Sequence, residues 1–249
     1  MYLRKTRAVG LALIVSSLIA TTAFAALSTG EQKRLNDAGA VVTSLRGTEN
    51  GISEDLWQKA DCVIVVPGMK KAAFVVGGEY GKGVMSCRTS NGWSSPVFME
   101  LQKGSLGFQA GATEIDLVLL VMNHDAATKM LNSKVSLGAD ASVAAGPVGR
   151  AASAATSENL AQVLSYSQSK GVFAGVNLSG GSLRVDKDSN TDAYGAKVAL
   201  DSVLNGGGPT LAGSTTFINT LGTSPRATTG TRTPAPAPAT GESNPAPKY

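Results

Sequence analysis

Apolar positions over residues 31–45 recur at helical spacing. Leu35, Ala38, Val42 and Leu45 share one face, so the pattern predicts a helix there. Thr29 is its candidate N-cap and Gly47 its stop, and Lys33, Arg34 and Arg46 flank the apolar stripe. A second, short helix is predicted from Ser53, whose hydroxyl can cap it, with Glu54 and Asp55 favourably placed against the dipole of its first turn. The period then changes. Residues 62–66 (CVIVV) form a continuous apolar strand stopped by Pro67-Gly68, and segments 72–76, 83–88, 97–102, 105–110 and 115–122 continue the series, with Asn91-Gly92 as a turn. Glycine is dense between them, as tight hairpins and close backbone approaches require. Consecutive short strands imply antiparallel pairing, because parallel pairs need long crossovers.

Beyond this β-rich stretch, a helix capped by Asn123 is predicted over 124–131, then a small-residue strand over 135–143 and a turn at Gly146-Pro147-Val148-Gly149-Arg150. Residues 160–166 fit a helix or a strand equally well. Residues 172–178, with Leu183 and Val185, read as a hairpin-like region around Gly180-Gly181. A last helix over 192–205 shows Tyr194, Val198, Val203 and Leu204 at helical spacing, closed by Gly206. The predicted class is α+β: a predominantly antiparallel sheet or partly closed barrel, with several short helices packed on it.

The ends of the chain differ from the middle. Arg4, Lys5 and Arg7 precede an apolar run over 8–20, and Ala23-Phe24-Ala25 supplies a small-x-small cleavage pattern. The expectation is a signal peptide over 1–25, cleaved after Ala25, and a periplasmic protein that is peripheral on an envelope membrane at most. The run is shorter than the roughly 20 residues of a spanning helix. Residues 26–205 are expected to form one folded domain, and the Thr/Pro/Ala-rich residues 206–249 a disordered tail.

Partitioning the charge removes an argument. The chain carries a net +4, but residues 26–205 hold 16 basic and 17 acidic residues, so nucleic acid is not an expected partner. An anion must instead meet a local patch. Lys70, Lys71, Lys82, Arg88 and Lys103 fall in one β-rich stretch whose acids are Glu79 and Glu100. Solvated strand-edge lysines are the plainer reading of each one singly. Cys62 and Cys87 are candidates for one disulfide, with two buried thiols the equal alternative.

No catalytic constellation stands out, and the expectation is a protein that is not an enzyme. His124, beside Asp125, is the single histidine, and no serine lies in a G-x-S-x-G elbow. Cys62, Cys87 and His124 lack zinc spacing, so no metal or other cofactor is expected. Asp186, Asp188 and Asp192 lack the glycine and final glutamate of a calcium loop and read as a solvated turn. The glycines of 77–83 lack P-loop order. Gly146 to Arg150 could offer backbone N–H groups and a guanidinium to an anion, or serve simply as a turn.

Five blocks carry a resemblance: ADCVIVVPGMKKAAFVVGGEYGKGVM, NGWSSPVFMEL, SLGFQAGATEIDLVLLVMN, LGADASVAAGPVGR and SYSQSKGVFAGVNLSGG. Over residues 52–194 they resemble the SYLF domain family. That resemblance implies a non-enzymatic lipid-binding domain acting at a membrane surface. Eukaryotic members bind phosphoinositides and some yeast members bind actin bundles, whereas exported bacterial members are regarded as lipid binders. The expected partner is an anionic phospholipid surface, met through Lys70, Lys71, Lys82 and Arg150. The alternative is a periplasmic scaffold that contacts envelope proteins or peptidoglycan.

Overall fold

A computed structural model describes residues 27–46, 51–73, 76–106, 111–148, 161–169 and 172–222. The first helix, α1 (Thr29–Arg46), is capped one residue earlier than its pattern implied. Ser28 Oγ accepts from the Glu31 N–H and the Glu31 carboxylate accepts from the Ser28 N–H, a reciprocal capping box. Its stripe of Leu35, Ala38, Val42 and Leu45 is buried. The expected stop at Gly47 lies outside the described residues. Helix α2 (Glu54–Lys59) begins as predicted, with Ser53 accepting from the Leu56 N–H.

Ten strands make a mixed sheet curled into a half-barrel, in agreement with the predicted α+β class. They are β1 (Cys62–Ala73), β2 (Val76–Thr89), β3 (Gly92–Trp93), β4 (Val97–Leu106), β5 (Gly111–Val121), β6 (Val135–Ser136), β7 (Val143–Ala145), β8 (Val163–Ser169), β9 (Val172–Gly175) and β10 (Gly181–Val185). The order is β6-β10-β4-β2-β1-β5-β8-β7, with β3 on β2 and β9 on β8. Every strand pair is antiparallel except β7–β8.

The sequence pattern predicted a stop at Pro67-Gly68, but β1 continues through it to Ala73. The strand runs through it on a bulge, with the register shifting between Val66 and Met69. Gly68 takes φ 57°, and its N–H finds the Asp116 carboxylate at 2.8 Å in place of a ladder partner. Likewise the glycines of β2 sit inside a strand. A Cβ at Gly81 would meet Val66 Cγ1 at 2.5 Å, so glycine there lets β1 and β2 close over bulky neighbours. Cys62 and Cys87 face each other in the β1–β2 register and are joined by a disulfide, with S–S 2.03 Å.

Helix α3 (His124–Asn132) is capped by Asn123, as read. The strand expected over 135–143 is instead β6, a turn and β7. Gly138 adopts φ 94°, and the Asp140 carboxylate accepts the Ser136 N–H at 2.7 Å, closing the turn. The single helix expected over 192–205 is two, α4 (Lys187–Tyr194) and α5 (Leu200–Leu204), divided at Gly195 with φ 81°. No described helix is long and apolar enough to cross a membrane.

Folded structure also continues past the boundary expected at Asn205. Helix α6 (Thr215–Leu221) packs on α1 and buries Phe217 and Leu221, and the Trp57 indole donates to the Leu221 carbonyl at 3.2 Å. Two well-spaced apolar residues suffice to hold this short segment, although its surroundings are glycine- and threonine-rich. The expected tail beyond residue 222 lies outside the described residues. Phe217→Ala is therefore expected to lower stability by about 3–5 kcal/mol in urea unfolding. An unchanged midpoint would mean that α6 stands apart from the cooperative core.

Candidate functional site

Strand alternation decides which lysines can act together. Lys70 of β1 stands opposite Tyr80 of β2, and Tyr80 opposite Gln102 of β4. Two residues along, Lys82, Glu100 and Arg184 form the next row of the same face. Lys71 stands opposite Glu79, and Glu79 opposite Lys103, on the other face. The register thus splits the expected cluster, keeping Lys70 and Lys82 together and turning Lys71 away.

Helix α1 covers part of the Lys70–Lys82 face and leaves a cleft of about 270 Å³. Lys33, Arg34 and Asp37 line it from the helix. The β1 bulge contributes Pro67, Gly68 and Lys70, and β2 contributes Tyr80 and Lys82. Tyr80 is 42 % exposed, one of two large apolar side chains so exposed among the described residues. Its hydroxyl donates to Glu100, which also pairs with Arg184 at 2.6 Å. Burial, and then the bond to the Glu100 carboxylate, raise the Tyr80 pKa, so the phenol stays protonated.

Lys82 and Arg34 of the cleft lining both pair with Asp186, which is buried at 4 % exposure and does not itself line the cleft. One carboxylate oxygen takes Lys82 Nζ at 2.9 Å, Arg34 Nη1 at 3.1 Å and the Ser189 hydroxyl at 2.8 Å. Asp186 also caps α4 through the Ser189 N–H. Burial alone would push this carboxyl up, but the hydrogen bonds from Lys82, Ser189 and Arg34 together outweigh it and hold the group below its ordinary range. The Arg34 guanidinium lies 5.1 Å above the Phe98 ring. The solvated turn expected at Asp186 is thus a buried ion-pair centre, and its legible sign was an aspartate three residues before Ser189 at a helix start.

The other candidates are accounted for separately. Lys71 pairs with Glu79 at 3.0 Å, and Lys103 donates to the Asn177 carbonyl. Arg88 is buried, donates to the Trp57 and Ala60 carbonyls and lies over the Trp93 ring at 4.3 Å; it belongs to packing, not to a surface patch. Arg150 lies outside the described residues. In the cleft, Lys33 is held by Asp37 at 2.6 Å, while Lys70 makes no ion pair among the described residues. His124 opens α3, and its Nδ1 lacks a hydrogen-bond partner among the described residues. No group of three or more metal-ligating side chains occurs among the described residues.

Three of the sequence blocks serve the interior. The Tyr166 ring lies where a Cβ on Gly146 would have to be, and the Gly146 carbonyl similarly crowds Gly175. Ser94 Oγ accepts the Cys87 N–H at 3.0 Å, and the Ser86 hydroxyl donates to the Ser94 carbonyl.

Residues 102–224 match the family model Ysc84, described as Las17-binding protein actin regulator. The chain is similar to LAS seventeen-binding protein 3 of Saccharomyces cerevisiae, 32% identical over 165 residues, covering 64% of this chain and 36% of that protein. It is similar to Protein YSC84 of the same yeast, 33% identical over 141 residues, 55% of this chain and 30% of the relative. It is also similar to the SH3 domain-containing YSC84-like protein 1 of Mus musculus, 31% identical over 172 residues, 68% and 50% respectively. The chain therefore spans half or less of the length of each of these relatives, which are named for binding and domain content rather than for a reaction.

Asp186 gives the site a pH dependence of defined sign. Its folded pKa is depressed, so its stabilisation is full above the ordinary aspartate range and is lost as pH falls through the folded value. The unfolding midpoint of the protein should drop on acidification below about pH 4, and less steeply in Asp186→Asn. Asp186→Ala should lower stability by about 2–3 kcal/mol, through the lost cap and the two unpaired cations. Parallel pH profiles for protein and variant would refute this role.

Proposed function

The chain belongs to the Ysc84 (SYLF) family, and from that premise we propose that it is a non-enzymatic lipid-binding protein that engages anionic head groups at a membrane surface. The observation that carries the reading is the cleft between α1 and the β1 bulge. Lys70 reaches it without an internal carboxylate partner among the described residues, Lys33 stands at its rim, and the exposed Tyr80 lies between the two basic sides. Lysines near an anionic surface gain roughly 1 kcal/mol each, and a half-exposed tyrosine suits the polar–apolar boundary of a bilayer. Lys82 contributes positive potential to the floor but is committed to Asp186. Lys71 belongs to the opposite face and acts, in this reading, at most as a peripheral contact. Arg150 stays a candidate on sequence grounds alone.

The amino-terminal residues support export: the basic start, the apolar run and Ala23-Phe24-Ala25 fit a cleaved signal. In this reading the protein works in the periplasm, against an envelope membrane. The names of its yeast relatives favour a second reading, in which the domain binds an envelope protein. The two are separable by experiment.

The chain beginning at Ala26 should co-sediment with phosphatidylglycerol vesicles at low salt and not with phosphatidylcholine vesicles, and added salt should release it. Lys33→Glu with Lys70→Glu should weaken binding by about tenfold or more, and Lys71→Glu by less. Absence of sedimentation with anionic vesicles would overturn the lipid reading. An envelope protein recovered equally with and without lipid would favour the second.

A further inference from the structure

The Lys70 cleft adjoins a larger depression of about 630 Å³, and Tyr80 and Lys82 line both. The other walls of this depression come from β4, from β10, from the start of α4 and from the segment that leaves α3 toward β6. A third depression, of about 750 Å³, shares Tyr80 and Lys134 with it. The three are therefore continuous around the exposed Tyr80.

Four basic side chains line the 630 Å³ depression. Lys82 is taken by Asp186 at 2.9 Å, and Arg184 by Glu100 at 2.6 Å. Lys134 and Lys187 are exposed and make neither an ion pair nor a side-chain hydrogen bond among the described residues. Asp188 is the one acid of the lining without such a partner, so two uncommitted lysines stand against one uncommitted carboxylate. The remaining lysines of that uncommitted kind among the described residues are Lys70, in the adjoining cleft, and Lys129 and Lys197, which line none of the three depressions. Residues 26–205 carry one more acid than base, so attraction to an anion depends on where the free ammonium groups gather. Leu131 and Val185 are half-buried in the same lining and offer apolar surface beside the charges, which suits an amphipathic anion.

Lys134 directly precedes β6 and Lys70 lies on β1, four strand positions apart in the order β6-β10-β4-β2-β1, roughly 15–20 Å. That separation exceeds the screening length of about 8–10 Å at physiological salt, so the two sites act on an anionic surface separately. We propose that the 630 Å³ depression is a second lipid head-group site, in which Lys134 and Lys187 meet one phosphate while the Lys70 cleft meets another. The domain then engages an anionic membrane at two places, on either side of Tyr80. This inference rests on the lipid reading of the Lys70 cleft.

Co-sedimentation of the chain beginning at Ala26 with phosphatidylglycerol vesicles tests it. Lys134→Glu with Lys187→Glu should weaken binding about tenfold or more. The charge-matched pair Lys59→Glu with Lys197→Glu, exposed and outside the three depressions, should weaken it by no more than about threefold. Joining the Lys134 and Lys187 reversals to those at Lys33 and Lys70 should multiply the two losses. Lys134→Gln with Lys187→Gln should cost about five- to tenfold, and serves as the check if the reversed pair folds poorly. Sodium phosphate should release the protein no better than sodium chloride at equal ionic strength. Protein that ignores these vesicles altogether sinks the lipid reading and the second site with it. Binding that the Lys134 and Lys187 variants weaken no more than the control pair overturns the second site alone, and so does selective release by phosphate.

Discussion

One carboxylate oxygen of Asp186 receives a guanidinium from α1, an ammonium from β2 and a hydroxyl from α4. A charge buried this far is tolerable only when fully paired, and here the pairing comes from three elements that are distant in sequence. The aspartate thus fixes the height and tilt of α1 above the sheet while starting α4 behind it. The cleft beside Lys70 exists because α1 is held there and no closer. Arg34 adds a second tether by lying over Phe98. The geometry of the candidate site is in this sense set by an ion-pair centre that does not itself line the cleft.

The same sheet shows why charge counts along a sequence mislead. Lys70 and Lys71 are neighbours in the chain and opposites in space, because a strand alternates its faces. Lys71 is absorbed by Glu79 and Arg88 by backbone carbonyls. What began as five cations in one stretch leaves Lys70 as the basic side chain that reaches the cleft without an ion pair among the described residues. Lys33, contributed by a helix far away in sequence, takes the place that Lys71 was expected to fill.

Local chemistry was legible where it is self-contained. Ser53 and Asn123 announce helix starts because a cap acts within three residues, and the runs of apolar β-branched residues announce strands. The family resemblance was legible too, since its blocks are specific in combination. Illegible features depend on partners remote in sequence. Pro67-Gly68 reads as a stop until Asp116 supplies the missing partner. Gly195 reads as an interior helix residue until its positive φ divides α4 from α5. Asp186 reads as solvated until Arg34 and Lys82 arrive. Helix α6 is too short and too plain to announce itself, and only the space beside α1 and Trp57 makes Phe217 a core residue.

That last contact bears on the order in which the molecule can assemble. The indole of Trp57 and the carbonyl of Leu221 are separated by 164 positions, and α1 finishes its burial only when α6 lies beside it. Strand β10 likewise inserts between β4 and β6 from far down the chain. Contacts of such long range must close large loops before they gain anything, so they form late and slowly. A growing chain therefore carries its first helix with the apolar stripe incompletely covered until residues near 221 have been made. A polypeptide that cannot complete its fold early stays unfolded, and open to being drawn through a narrow passage, for most of its synthesis.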